Sequence, residues 1–405
     1  MRITLQLLKQ HNQRMFRRHW YVQGKRTPID LKSEEALMKK GLPIIEANTF
    51  INQKLGKLPE TEAAASSQLP PDYHETKCAV YGDSSALLLG MPQAQVLLNT
   101  LKIEGYPEKI EEQIKNVKIP TSVEKAVYQS VMSACLFDAE QKKLGYKIKD
   151  PERPAFNFPR IYGITDERKN RLLFLKFIQN CEKIAPSSVL SNRRITQNTF
   201  FKYPFKSEEM QVQLEVHAEV LVTSKKPLLG FNETNRLEGL EMPNIFPASP
   251  TVSIVPTNTY TLENIYPIKD TTQFIHPHTI FLHFSPLEVK HLPDIPVTDN
   301  QFESRALMKA FAVASSKAQA HLGTSTKDLP QPIVVQTVQC DTKRVQFGIF
   351  QLNTLDLNGS SRKNFWYCSN IMNLYEECAY KLGRPVLEGY NRDVLRHMSV
   401  FYNNS

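Results

Sequence analysis

Residues 333–352 read IVVQTVQCDTKRVQFGIFQL, two apolar-rich runs on either side of Asp341-Thr342-Lys343. Val, Ile and Phe fit a pleated, half-buried surface, and a short polar break between two such runs signals a β-hairpin. Val334 and Val338 before the break, with Phe347 and Ile349 after it, form the inward set of that hairpin. Gln351 and Asn353 fall on the polar register, where an amide beside a strand end holds a turn or an RNA backbone. The turn is the reading favoured here.

Outward from the hairpin, the same alternation recurs. Val212, Leu214, Val216, Ala218, Val220 and Val222 alternate with mostly polar partners, which predicts a half-buried strand. Thr279 to Phe284 is a further candidate. Helices are legible between and before these strands. Pro92 to Leu101 has Pro near its start and Gly105 with Pro107 beyond its end. Thr121 to about Gln141 opens on a Thr121/Glu124 capping-box pattern and keeps Val123, Val127, Val131 and Ala134 at helical spacing. Thr165 to Lys183 begins with acidic residues that suit a helix N-terminus. Phe302 to Leu322 is Ala-rich and stops at Gly323, and a last helix runs from Asn391, as cap, to Phe401. The fold expected is α+β, with an antiparallel or mixed sheet mainly after residue 195 packed against helices and an extended N-terminal arm.

The first 29 residues contain no Asp or Glu but carry Arg2, Lys9, Arg14, Arg17, Arg18, Lys25 and Arg26. An Arg-rich, acid-free, amphipathic start has the character of a mitochondrial transit peptide, or of a basic arm retained on the mature chain. Glu60 to Pro71 is small, polar and ends in two prolines, as a linker does. Three parts follow: 1–29 as transit peptide or basic arm, 30–76 as extended or linker segment, and 77–405 as a globular α+β body.

The 405 residues are 41% hydrophobic and 22% charged, a balance close to that of ordinary folded domains. No apolar run approaches the roughly 20 residues of a membrane helix, so no span is expected. The net charge of +9 favours polyanionic partners. The six cysteines form no C-x-x-C, and their spacing suits neither a zinc site nor a disulfide framework, which fits thiols in a reducing compartment. Phosphate-binding loops and H-E-x-x-H are absent from the sequence, and no cofactor is expected.

Three constellations bear on chemistry. Tyr81-Gly82-Asp83-Ser84 resembles the nucleophile block of Gly-Asp-Ser-Leu esterases, yet Asp393 and His397 are one residue too far apart for that family's D-x-x-H. A turn or helix start capped by Asp83 or Ser84 explains the same residues. His276, His278, His283 and His291 lack carboxylate or thiol ligands at suitable spacing, and ordinary hydrogen-bonded histidines explain them without a metal. Basic residues beside aromatics form the third. Arg193, Arg194 and Lys202 surround Phe200, Phe201, Tyr203 and Phe205, and Arg362 with Lys363 precedes Phe365, Trp366 and Tyr367. Cations neutralise phosphates and aromatics stack on unpaired bases. Arg17, Arg18, Lys25, Arg26, Arg193, Arg194, Lys202, Arg362 and Lys363 are therefore the candidate RNA contacts, and no catalytic residue is assigned.

Pro332-Ile-Val-Val-Gln336, Gln346-Phe347, the run Phe350-Gln-Leu-Asn-Thr354-Leu-Asp356-Leu357, Lys363-Asn364 and Trp366 occur together and in order. So do Lys102 to Gly105, Pro107 to Lys109, Arg193-Arg194 with Gln197-Asn198, Ser249-Pro250, Asn264 to Tyr266, Pro277 to Thr279 and Ala318 to Ala320. This ordered set resembles a family of mitochondrial large-subunit ribosomal proteins, the one that holds protein thirty-seven and its paralogue, protein sixty-five or programmed cell death protein nine. Asp356 favours the thirty-seven branch. The resemblance spans roughly residues 72 to 402. It implies a matrix protein built into the large ribosomal subunit against its rRNA and neighbouring ribosomal proteins, the paralogue among them, with no catalytic residues of its own. The rival expectations are a ribosome assembly factor that leaves before translation and a matrix serine esterase using Ser84.

Overall fold

The computed structural model describes residues 32–41, 77–137, 140–144, 162–207, 210–231, 239–258, 262–289, 295–324, 326–359 and 362–405. The chain forms two compact units, Met1–Pro70 and Pro71–Ser405. In the first, the described residues hold one helix, α1 (Ser33–Lys39), with Glu34 and Glu35 at its positive end and Lys39 at its negative end. The expected transit peptide, 1–29, lies outside the described residues, as does most of the 30–76 segment.

The second unit runs β1 (Lys77–Tyr81), α2 (Met91–Leu97), β2 (Thr100–Glu104), α3 (Glu108–Asn116), α4 (Thr121–Leu136), β3 (Lys142–Lys143) and β4 (Tyr162–Gly163). There follow α5 (Asp166–Ile184), α6 (Ser187–Leu190), β5 (Arg193–Ser207), β6 (Met210–Ser224), β7 (Val255–Asn258) and β8 (His276–His283). The chain ends with α7 (Asp299–Leu322), β9 (Asp328–Cys340), β10 (Arg344–Thr354), β11 (Asn364–Cys368), β12 (Met372–Asn373), β13 (Glu377–Lys381), β14 (Arg384–Glu388) and α8 (Asp393–Asn403).

A mixed sheet organises this unit, in the order β2-β11-β10-β9-β8-β6-β1-β7, with β5 also on β6 and β12 on β10. The hairpin read from residues 333–352 is its centre, pairing Cys340 with Val345 and Ile333 with Leu352. Asp341 Oδ1 accepts the Lys343 and Arg344 amides and so fixes the turn. Alternation then sorts side chains to two cores. Val335, Phe350 and Leu352 face the core beneath α7 and α2, while Val334, Val338, Phe347 and Ile349 face the one beneath α3, α4, α5 and α8. Helices thus cover both faces of the sheet.

Several elements depart from the sequence reading in ways the local chemistry explains. The helix expected over 92–101 ends at Leu97, Asn99 takes φ 49°, and Thr100–Glu104 becomes β2, parallel to β11. Helix α4 ends at Leu136 rather than near Gln141, and Pro120, not Thr121, occupies its cap position with no side-chain cap bond. Helix α5 begins where expected, with the Thr165 hydroxyl accepting the Arg168 amide. Helix α7 starts three residues earlier than Phe302, because Thr298 and Gln301 form a reciprocal capping box. The even-numbered set of β6 divides: Val212, Leu214, Val216 and Ala218 enter the α7 core, whereas Val220 and Val222 enter the other. The change of face falls beside the β5 residue Asn198, whose φ is 49°.

Gly348 in β10 lies under the indole of Trp366, which is fully buried. A Cβ at this position would stand 2.2 Å from Trp366 Cη2 and 2.5 Å from Cζ2. Neither the central strand nor the enclosed ring can yield cheaply, so Gly348→Ala is expected to destabilise the fold by about 1–3 kcal/mol. Urea unfolding measures this, and a loss under about 0.5 kcal/mol, the scale of an ordinary surface substitution, would mean the indole repacks freely.

Candidate functional site

Strand β5 occupies one edge of β6 along its full length. The other edge is shared. Strand β1 runs parallel to β6 and ends at the Tyr81–Leu214 pair, while β8 comes from the opposite end and reaches the Phe281–Val220 pair. The two strands point at each other, and on this edge the middle of β6 lies between their ends with no strand beside it among the described residues. Backbone groups left unpaired inside a fold are costly, so side chains must serve them. The His217 amide donates to both Asp83 carboxylate oxygens at 3.2 Å, and its carbonyl accepts from Lys309 Nζ at 3.0 Å. Lys309 is also paired with Asp83. Arg305, one turn earlier on α7, donates to the Asp83 carbonyl at 3.0 Å and the His283 carbonyl at 2.7 Å, close to the ends of both strands. Two cations four residues apart on one helix thereby close the break in the sheet.

The same groups line a cleft of about 220 Å³, together with Ser84, Glu219 and Glu288. Burial would raise the Asp83 carboxyl, but the charge and hydrogen bond of Lys309, with Arg305 and His217, outweigh it and bring it down to about 2. Burial, then the neighbouring Arg305 charge, pulls the Lys309 ammonium down to about 8 against the opposing pull of Asp83. Burial and the two cations hold the His283 imidazole down at about 3, so it is neutral at physiological pH. The esterase reading requires an imidazole on Ser84. In the structure the His217 ring bonds Asp83 at 2.6 Å, and the His283 ring meets Asn170 at 2.7 Å and Glu288 at 3.3 Å. His397 bonds the Asp393 carbonyl at 2.7 Å and packs on Phe347 and Tyr106 in the other core.

Of the other predicted histidines, His278 is buried and bonded to Thr279 at 2.8 Å and the Asn404 carbonyl at 2.9 Å. His291 lies outside the described residues. Among the described residues, no group of three or more His, Cys, Asp or Glu side chains could hold a metal ion.

Arg17, Arg18, Lys25 and Arg26 lie outside the described residues. Arg193 donates to the Asn404 carbonyl, and Lys202 lies 3.6 Å from both Glu215 and Glu263. Arg362 donates to the Leu329 carbonyl at 3.1 Å, and Lys363 to Asn99 and the Gly359 carbonyl. Arg194 is exposed. The aromatics interleaved with them face inward: Phe201, Tyr203, Phe205, Trp366 and Tyr367 are buried. The β5–β6 register, with Arg193 opposite Ser224, brings Lys225 and Lys226 to the same corner as Arg193 and Arg194. A cleft of about 440 Å³ opens there, lined by Asn192, Arg193, Lys226 and His278 among others. Sequence inspection missed this grouping because its members are some 30 residues apart; the end of the β6 alternation at Ser224 was the signal.

The polar block at the end of β10 holds loops. Gln351 exchanges hydrogen bonds with both backbone groups of Phe231, and Asn353 donates to the Lys363 carbonyl at 2.8 Å. Asn364 Oδ1 accepts the Asn353 and Thr354 amides, and Asn99 donates to the carbonyls of Asp356, Gly359 and Arg362. The turn-holding role read from Gln351 and Asn353 has its counterpart in these bonds.

Residues 290–405 match a family model described as mitochondrial 28S ribosomal protein S30 (PDCD9). Over a longer span the chain is similar to large ribosomal subunit protein mL37. The Rattus norvegicus protein is 26% identical over 324 residues, 78% of this chain and 71% of the relative. The Gallus gallus protein is 27% identical over 323 residues, 77% and 69% of the two chains, and the Mus musculus protein 26% over 309 residues, 75% and 67%. The resemblance read from the ordered motifs is therefore shown.

The ion cluster makes stability depend on pH in a calculable direction. The folded Asp83 carboxyl titrates below its ordinary value, so its contribution is complete above pH about 4 and lost as pH falls through about 2. Asp83→Asn is expected to cost about 1–2 kcal/mol at pH 6, after allowance for partial exposure of the carboxylate. The gap from wild type should narrow in urea titrations repeated at pH 2.5. An unchanged gap would show that the Asp83 charge does not sustain the cluster.

Proposed function

We propose that this protein is a structural constituent of the large subunit of the mitochondrial ribosome. The observation that carries the reading is similarity to proteins named for that subunit over about three quarters of the chain. The shorter family match is described by a small-subunit name. The longer relatives, similar over about three quarters of the chain, support the large subunit. In this reading the chain resides in the matrix, brought there by the acid-free N-terminal segment. It contacts large-subunit rRNA and neighbouring large-subunit proteins, its paralogue included, and performs no catalysis.

The chemistry of the surface supports such a role. Arg193, Arg194, Lys225 and Lys226 group at the β5–β6 end, where Lys and Arg would neutralise phosphates and displace counterions. Arg193 keeps its carbonyl partner within the chain, which leaves Arg194 and Lys226 as the exposed pair for an rRNA backbone.

Sedimentation of the tagged protein from a mitochondrial lysate tests the assignment. Co-migration with mature large subunits and intact ribosomes is expected, and after magnesium chelation the protein should stay with the large-subunit peak. Migration with small subunits, or among free proteins, would overturn it, and association with immature particles alone would identify an assembly factor. Replacing Arg194, Lys225 and Lys226 together by Gln should make retention on the subunit more easily lost as salt is raised.

A further inference from the structure

A third cleft lies apart from the ion cluster, between the C-terminal end of α7, the start of β8 and the first residues of β9. Its volume is about 340 Å³, at the lower end of the range for small-molecule sites. Leu228, Ala318, Leu322 and Ile333 give it an apolar wall. One charged group belongs to that lining and is almost fully enclosed: Lys317, a residue only 3% exposed. Its ammonium is buried and has no hydrogen-bond partner among the described residues. It sits 5.1 Å from the centroid of the Tyr266 ring. The nearby Asp270 carboxylate is engaged by His321 at 3.3 Å. The Lys317 charge reaches the cleft, because His276, another lining residue, is held below the ordinary imidazole value by burial and then by Lys317.

A buried ammonium with three donors and no acceptor is an incomplete arrangement, and an apolar cleft beside it is incomplete in the complementary way. A ligand with one anionic oxygen group and a hydrocarbon body completes both. A peptide fits less well. Pro330 and Pro332 stand on the part of β9 that lines the cleft and carry no N–H, so that edge is poorly equipped to ladder with an added strand. A peptide backbone laid along the apolar wall would also give up hydrogen bonds to water that the wall cannot replace.

We propose that this cleft binds an aliphatic monocarboxylate, with the hydrocarbon chain along Leu228, Ile333 and Leu322 and the carboxylate on the Lys317 ammonium. The inference does not rest on the ribosomal reading, since it concerns binding to the isolated full chain.

Calorimetric titration of the full-length protein with sodium decanoate, and with decanol as the neutral counterpart, tests it. Decanoate should bind at one saturable site about tenfold more tightly than decanol, the scale of one charge-assisted hydrogen bond. Lys317→Met keeps the apolar stem and removes the charge. It should bind decanoate no better than decanol, with an unfolding temperature no lower than wild type, because no hydrogen bond is lost. Should that variant fail to fold, reductive methylation of wild-type Lys317, read by peptide mass, serves instead: decanoate should slow it and decanol should not. Absence of saturable decanoate binding, equal affinity for the two ligands, or decanoate binding that survives Lys317→Met would each overturn the proposal.

Discussion

The sheet of this protein depends on closing a break that its own topology creates. Strands β1 and β8 approach the same edge of β6 from opposite ends and cannot both extend to the middle. Water could solvate the exposed His217 backbone only if α7 were not packed close to that point. The chain instead sends Lys309 and Arg305 from α7 and Asp83 from the end of β1 into the break. This fixes the position of α7 along its axis. Its start is fixed too, because Gly90 (φ +66°) abuts the Asn300 backbone so closely that a Cβ there would stand 2.7 Å from it. Buried ion pairs add little net stability over apolar packing, but one wrongly placed is severely unfavourable. The cluster therefore selects a register for α7 that its many alanines, interchangeable in shape, would leave loosely defined.

Much of the fold was legible from periodicity. The β9–β10 hairpin, the long alternating strand β6, and helices α5, α7 and α8 all follow patterns within a window of a few residues, the range over which local sequence governs backbone choice. What was not legible depends on partners distant in sequence. Thr100 and Leu101 read as the end of a helix until β11, some 264 residues later, offers Thr100–Glu104 an edge. The split of the β6 valines between two cores could not be read either, since perfect alternation in sequence does not show where a local irregularity, here beside Asn198, makes the strand change face. The cluster was half visible: Gly82-Asp83-Ser84 drew attention as a turn or a nucleophile block. Its cations were hidden in an Ala-rich helix. Arg305 and Lys309 at i and i+4 inside an otherwise apolar stretch were the available signal, because such a stretch seldom buries two charges without a carboxylate to meet them.

The resemblance to ribosomal proteins and the chemistry of the surface record different things. The motifs that carry the resemblance, from Gln351 to Thr354 and at Asn364, are buried amides and hydroxyls whose hydrogen bonds fasten loops. Each is hard to replace because its loss would strand a buried donor or acceptor. They preserve a fold, and with it the placement of a surface, without touching anything outside the chain. Basic residues prominent in the sequence are mostly committed in the same inward sense: Lys202 to Glu215 and Glu263, Arg362 and Lys363 to backbone carbonyls. Proximity of a cation to aromatics in sequence therefore said little about nucleic acid, since the aromatics turn to the core and their neighbours brace the adjoining loops. Cations brought together by strand register, as at the β5–β6 end, are the more informative kind, because no single segment explains why they meet.

Helix α7 also contains its own comparison. Lys309 and Lys317 lie eight residues apart, two turns along one helix, and both are almost fully enclosed. Each must leave water when the helix packs, and each is pulled down to about 8, burial being the first cause for both. Lys309 finds a carboxylate and a carbonyl within the fold. Lys317 finds an aromatic face and an apolar cleft. A position that needed only bulk would be filled at lower cost by Met or Leu, which bring the same stem without the charge. An ammonium there is physically reasonable when its acceptor belongs to another molecule, and the shape of the cleft beside it limits that molecule to one with a hydrocarbon body and a single anionic end.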